Sequence, residues 1–353
     1  MKKFISLVLS ISCAAMLLTG CGNEGKDQTD NKKSMTASDS TESESSSPDS
    51  TNSKGNAKEA NSDDNYKIGI IQFVQHEALD EANRGFVDGL AEAGYIDGEN
   101  ITINQQNASG DQSNAPSIAN TFVNDDVDLI LAIATPAAQA VANATQEIPI
   151  LVTAVTDPAE AGLVESNEAP GGNITGTSDL SPVKEQIDLL KEFVPDAQKI
   201  AILYCTNEIN SKLQADIAKE AAKELGMEAQ DYTVSNSNEI QQVTESLVGK
   251  VDAIYAPTDN IISAGMQTVT QVSTPNKIPV ICGEEGMLPR GALATKGINY
   301  YNLGKQTAAQ AVKILNGTSE PANMPVEYIE DVEFKYNEEV LADLEMELPA
   351  GLK

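Results

Sequence analysis

The chain has 353 residues, 41% of them hydrophobic and 22% charged, a globular balance long enough for two domains. Its formal net charge of −30 excludes a nucleic-acid binder, which needs a basic face against phosphate, and disfavours adhesion to anionic lipid. Four cysteines without a CxxC pair, and a single histidine, argue against a zinc or other transition-metal site, and no cofactor is implied.

The chain opens with "MKKFISLVLSISCAAMLLTGCGN", in which Lys2 and Lys3 precede an apolar run from Phe4 to Leu18. That run is too short and wrongly flanked for a membrane span but suits a signal peptide over residues 1–21. Leu18-Thr19-Gly20-Cys21 resembles the bacterial lipobox, which implies a lipidated Cys21 at the mature N-terminus. The alternative is an ordinary signal peptide with an incidental Cys21. Residues 22–65 are acidic, Ser-rich and almost free of bulky side chains, so they predict a disordered tether spanning ~35 Å root-mean-square. The expected localisation is extracytoplasmic, with the body anchored by lipid to the outer face of the cell membrane.

From Tyr66 onward, strands and helices alternate. "YKIGIIQF" reads as a buried strand, and in the following "ALDEANRGFVDGLAEAGY" Ala82, Phe86, Leu90 and Ala93 recur at helical spacing. "NITINQQNA" and "APSIANTFVNDD" give the next strand and helix, and "VDLILAIAT" and "PAAQAVANATQ" the next, this helix opening on proline. "IPILVTAV" and "GNITGTSD" complete a first set of strands. The rhythm restarts with "KIAILYC", "MEAQDYTV", "VDAIYAPT" and "IPVICGE", joined by helices such as "NSKLQADIAKEAAKELG".

This alternation predicts an α/β fold with two doubly wound parallel-sheet lobes, joined by a hinge and holding the ligand cleft between them. Residues 66–180 form the first lobe and 181–299 the second, with crossings near Asp179–Pro182 and "GALATKGINYYNLG". A return helix at about 300–325 rejoins the first lobe, and a tail at about 326–353 joins the second. Open α/β sheets bind ligands at the carboxyl ends of their strands. The loops "QFVQH", "ATPAAQ", "TAVTDP", "CTNEINS", "APTDN" and "GEEG" should therefore meet at the cleft.

The run "IIQFVQHEALDEANRGFVDGLAEAGY", with "QNASGD", "AIATPAAQA", "TAVTDPAEAGLV", "PGGNITGTSD", "NEINSKLQ" and "APTDN" in order, resembles the tryptophan/tyrosine-type substrate-binding proteins of bacterial ABC transporters. The resemblance runs from Tyr66 to about Pro325. It implies two class I periplasmic-binding lobes, a hinged cleft, and delivery of a solute to ABC permease and ATPase subunits. Nothing in the sequence signals a homo-oligomer, so a monomer is expected. The rival readings are a lipoprotein sensor that presents its closed state to a signalling receptor, and an enzyme on the same architecture.

The residues themselves suit an α-amino acid. Thr135 and Ala137 flank Pro136 at a helix start, where a hydroxyl and free N–H groups stabilise a carboxylate. Thr156, Ser178 and Ser211 offer hydroxyls from other loops, and Gln72 and Asn210 offer amides. Asp157, Asp259 and Glu284 either accept the ammonium or merely cap local structure. Phe73 and Tyr204 stand near strand ends as aromatic surfaces, whereas Tyr255 reads as core. With no tryptophan and 4% aromatic residues, stacking on a sugar is the weaker expectation. An aromatic amino acid such as tryptophan or tyrosine is the expected small-molecule ligand.

His76, the lone imidazole, has no GxSxG elbow to serve and no partner histidine for a metal. A donor to the ligand carboxylate or a cleft-closing contact is expected, the alternative being a local cap. Cys205 and Cys282 end strands that are not neighbours in the expected order, so both should be free, buried thiols.

Overall fold

The computed structural model describes residues 65–329 and 331–352. The expected signal peptide, Cys21 and, apart from Asn65, the 22–65 tether lie outside them. The first half of the chain runs β1 (Tyr66–Gln72), α1 (Glu77–Glu92), β2 (Ile101–Asn107), α2 (Ala115–Asn124), β3 (Leu129–Ile133), α3 (Thr135–Ala144), β4 (Ile150–Val155) and β5 (Ile174–Ser178). Then follow α4 (Val183–Phe193), β6 (Lys199–Cys205), α5 (Ile209–Glu224), β7 (Glu228–Val234), α6 (Ile240–Glu245), β8 (Ala253–Ala256), α7 (Asn260–Ser273), β9 (Val280–Cys282) and β10 (Ala294–Ile298). The chain closes with α8 (Tyr300–Leu315), β11 (Glu327–Tyr328), β12 (Val332–Tyr336) and α9 (Glu338–Asp343).

These strands build two six-stranded sheets, ordered β11-β5-β4-β3-β1-β2 and β12-β10-β9-β8-β6-β7. All neighbours are parallel except the antiparallel edge pair β10 and β12. The fully buried runs of β3 and β4 belong to a sheet covered by helices on both faces. Along α1, Ala82, Phe86 and Leu90 are buried as their spacing predicts. Ala93 is exposed, because the helix ends at Glu92 and the chain turns away through Gly94 at φ 90°.

The chain passes between the sheets after Ser178, returns at Asn299, and leaves again after Tyr328. Helix α8 belongs with the first sheet: Gln310 Nε2 donates to the Gly176 carbonyl at 3.2 Å, and the Thr307 and Thr177 hydroxyls lie 2.8 Å apart. It packs along α1. Because Glu327 and Tyr328 still pair with Thr177 and Ser178 of β5, the last crossing falls after Tyr328 and not at 326. Cys205 and Cys282 are free and buried, with β8 between their strands. Among the described residues no helix is long and apolar enough to cross a membrane.

Candidate functional site

The two sheets turn their strand ends toward one another, and polar ties join the facing loops. Gln112 Nε2 donates to the Asn207 carbonyl at 2.9 Å. His76 Nε2 lies 3.4 Å from Asn260 Oδ1. Gln214, fully buried on α5, donates to Thr258 Oγ1 at 2.6 Å and across the cleft to Thr156 Oγ1 at 3.2 Å. Its Oε1 accepts from the Thr258 N–H at 3.2 Å.

The strand ends that feed this cleft are strained. Ala134 has φ 82° and Ala154 φ 53°, a left-handed region that costs a non-glycine residue about 1–3 kcal/mol. Ala154 also sits where the β4–β5 register slips, so the strain goes with a bulge that turns the chain into Thr156. Ala134 places Thr135 at the first position of α3, whose hydrogen-bond ladder begins only with Ala138 donating to Ala134. The N–H groups of Thr135 and Ala137 precede that ladder and carry the positive end of the helix dipole.

Several sequence-selected residues have their polar groups already engaged. Asp259 caps α7 by accepting from Ile262 N, and its second oxygen takes Cys205 N at 2.6 Å and Ser211 Oγ at 2.7 Å. Glu284 accepts from Gly286 N and Ser263 Oγ. Asp157 Oδ1 accepts from Ala159 N, Glu160 N and Asn167 Nδ2. Ser178 donates to the Thr156 carbonyl at 2.6 Å and accepts from Leu180 N. Gln72 is spent on the β1–α1 turn, through Val74, Asp80 and Asn83.

The aromatic candidates separate by strand parity. Tyr204 shares the core face of β6 with Ile200 and Ile202, and Asp231, Lys219 and Asp216 surround its hydroxyl, so it packs under the helices and not at the cleft. Tyr255 is fully buried and donates to Gln186 Oε1 at 2.7 Å. Phe73 is 1% exposed and packs into the first lobe's core while lining one side of the cleft.

Buried polar atoms with no protein partner include Asn83 Oδ1, Ser273 Oγ and Gln310 Oε1 away from the cleft, and four beside it: His76 Nδ1, Thr135 Oγ1, Asp179 Oδ1 and Asn210 Oδ1. Thr135 and Asn210 face a cavity of about 170 Å³ walled by Ala161, Ile209 and Leu213. At about 30 Å³ per water this holds roughly six waters, the scale of one small solute. A second cavity, of about 480 Å³, is lined by Phe73, Gly110, Glu208 and Ser235 together with the tied Gln112 and Asn207.

Burial sets the protonation states. It pushes His76 down to about 4, partly opposed by Asn260, so the imidazole is neutral at pH 7. With Nε2–H donating to Asn260, Nδ1 is left as an acceptor. Burial raises Asp179 to about 6, against the hydrogen bond from Tyr300 Oη at 2.7 Å. Burial, then the neighbouring Asp259, raises Glu208, whose oxygens hold Asn260 N, Ile261 N and the Asn210 amide. Cys205 is pushed up to about 12 and Cys282 well up, chiefly by burial, so both stay thiols and are poor nucleophiles. Among the described residues no group of three or more His, Cys, Asp and Glu could hold a metal ion.

Sequence reading missed Asp179, Glu208, Gln214, Thr258 and Asn260. Glu208 lies in "CTNEINS" and Thr258 and Asn260 lie in "APTDN", loops expected at the cleft, and Gln214 stands four residues after Asn210, so both fall on one face of α5.

Residues 67–352 match the family model described as ABC transporter substrate binding protein. The chain belongs to that family. This substrate-binding protein is 42% identical over 346 residues, 98% of its own length and 93% of the relative's, to a tyrosine-binding protein of Clostridioides difficile strain R20291. A solved domain from Streptococcus pneumoniae in complex with L-Trp is 37% identical and superposes with a TM-score of 0.79, covering 82% of this chain and 97% of that one. The ligand-free, open structure of a Clostridium difficile substrate-binding protein with adhesive properties is 49% identical, yet superposes at 0.63, covering 81% and 96%. Family and relatives share the periplasmic-binding-protein fold and are solute binders.

Proposed function

We propose that this protein captures an aromatic amino acid, tryptophan or tyrosine, by hinged closure of its two lobes and delivers it to the permease and ATPase subunits of an ABC importer. The carrying observation is the four partnerless, buried polar atoms on the cleft loops. Buried polar groups are nearly always satisfied, so four such atoms gathered at the cleft support a ligand site there. An amino acid supplies both complements: a carboxylate for Thr135 and the start of α3, and an ammonium for Asp179 and Asn210. The relatives named for tyrosine and solved with L-Trp support that solute. The lipobox-like Leu18-Thr19-Gly20-Cys21 supports a lipid anchor on the extracytoplasmic face. The protein acts as a monomeric binder and not as an enzyme.

Titration calorimetry with the twenty amino acids, 3-indolepropionate and tryptamine tests this reading. Tryptophan or tyrosine should bind, and removing either charged group should abolish binding. Preference for an aliphatic amino acid or a sugar overturns it.

Closure is supported by the superpositions, since the less identical L-Trp complex fits better than the more identical open structure. Gln214 bridges Thr156 and Thr258, so Gln214→Leu should loosen the closed form without touching either lobe's sheet. The expected result is ligand dissociation about tenfold faster by stopped flow, equivalent to about 1.4 kcal/mol, with an unchanged association rate. An unchanged dissociation rate refutes this role.

A further inference from the structure

The smaller cavity has a direction. Its inner end holds the partnerless Thr135 Oγ1 and Asn210 Oδ1, on residues 2% and 6% exposed. Its wall is Ile209, Leu213 and Ala161. Ile209 is 47% exposed although large and apolar, at the first position of α5. An exposed isoleucine that lines a cavity beside unsatisfied polar atoms is surface held ready for a ligand. The rim carries Asp157, Glu160, Asp216 and Lys212. Lys212 and Lys219 both pair with Asp216. That leaves the exposed Glu160 and the half-buried Asp157, neither in an ion pair among the described residues, as uncompensated charge on the first lobe's rim.

Building on the amino-acid reading above, we propose that the ligand lies with its charged head at Thr135 and Asn210 and its side chain along Ile209 and Leu213. The tip of the side chain points out at the Glu160 rim. Ile209 is thus a specificity-determining residue, and the site selects flat, uncharged or cationic side chains over anionic ones. The rim charge acts through solvent, so its influence fades as salt shortens the screening length to about 3 Å at 1 M.

Two isosteric probes read the rim and two variants read the wall. At low salt, 4-(aminomethyl)phenylalanine should bind at least fivefold more tightly than 4-carboxyphenylalanine. That ratio should shrink in 1 M salt and in Glu160→Gln. Ile209→Ala should weaken tyrosine or tryptophan binding about tenfold at an unchanged melting temperature, and Ile209→Leu should restore it to within threefold. Equal binding of the two probes, or an Ile209→Ala variant within threefold of the parent, overturns the orientation. If the parent protein binds neither tyrosine nor tryptophan, the amino-acid reading itself has failed, and the two failures are distinct.

Discussion

Asp179→Asn is expected to cost at least a hundredfold in amino-acid affinity while making the ligand-free protein more stable above pH 6. The carboxylate is 4% exposed, with Oδ2 held by Tyr300 and Oδ1 without a protein partner. Replacing it removes the charge proposed to meet the ligand ammonium, and losing one partner of a buried charged pair typically costs about 3–5 kcal/mol. The stability gain follows from the proton balance. Burial raises this carboxyl from 3.8 to about 6, so between those values the folded protein keeps a proton that the unfolded chain has released. Stability therefore falls as pH rises through that interval, and the full deficit, on the order of 1–3 kcal/mol, persists above it. Asparagine never ionises, so the variant gains at pH 8 and its advantage vanishes below about pH 4. Calorimetric titration and melting curves at pH 4 and pH 8 check both halves. Unchanged affinity removes Asp179 from the site, and an equal melting shift at both values removes the ionisation argument.

Gly304→Ala should destabilise the first lobe by about 3 kcal/mol or more, although alanine favours helix over glycine by about 1 kcal/mol. A Cβ at Gly304 would stand 2.0 Å from the Ala82 carbonyl oxygen, and one at Gly85 would stand 2.0 Å from that of Tyr301. Each clash is with backbone, so no rotamer change relieves it, and α1 and α8 must separate. Gly172→Ala is the control: nothing lies within 4 Å of its Cβ and its φ is ordinary, so the change should stay within about 0.5 kcal/mol. Urea unfolding of both variants measures the difference. A Gly304→Ala midpoint equal to the parent's would mean that the helices do not interlock.

The same contrast between backbone pattern and side-chain direction explains what could be read from the sequence. Apolar runs such as "LILAI" and "ILVTAV" announce strands because their burial is dictated by covering helices. The two-residue β11 and the half-exposed β12 carry no such pattern, so their pairing was invisible. At the cleft, chain position was legible but satisfaction was not. Thr135 and Asn210 keep free polar atoms, whereas Asp157, Asp259 and Glu284 spend theirs on neighbouring N–H groups. Both kinds of residue look alike in a strand-end loop. Asp179 was read only as part of a crossing, because its significance lies in a tyrosine 121 positions away.

That separation in sequence recurs on a larger scale between α1 and α8. Lys305 of α8 reaches Glu92 of α1, 213 residues earlier. A ribosome adding about 5–20 residues per second needs roughly 10–40 s to travel that distance. Until then the first lobe lacks the helix that packs beside α1 over β4 and β5, and such non-local closure is slow even afterwards. The first lobe's packing is therefore complete only once the chain has been made through Leu315, so its two ends must find each other across the whole second lobe.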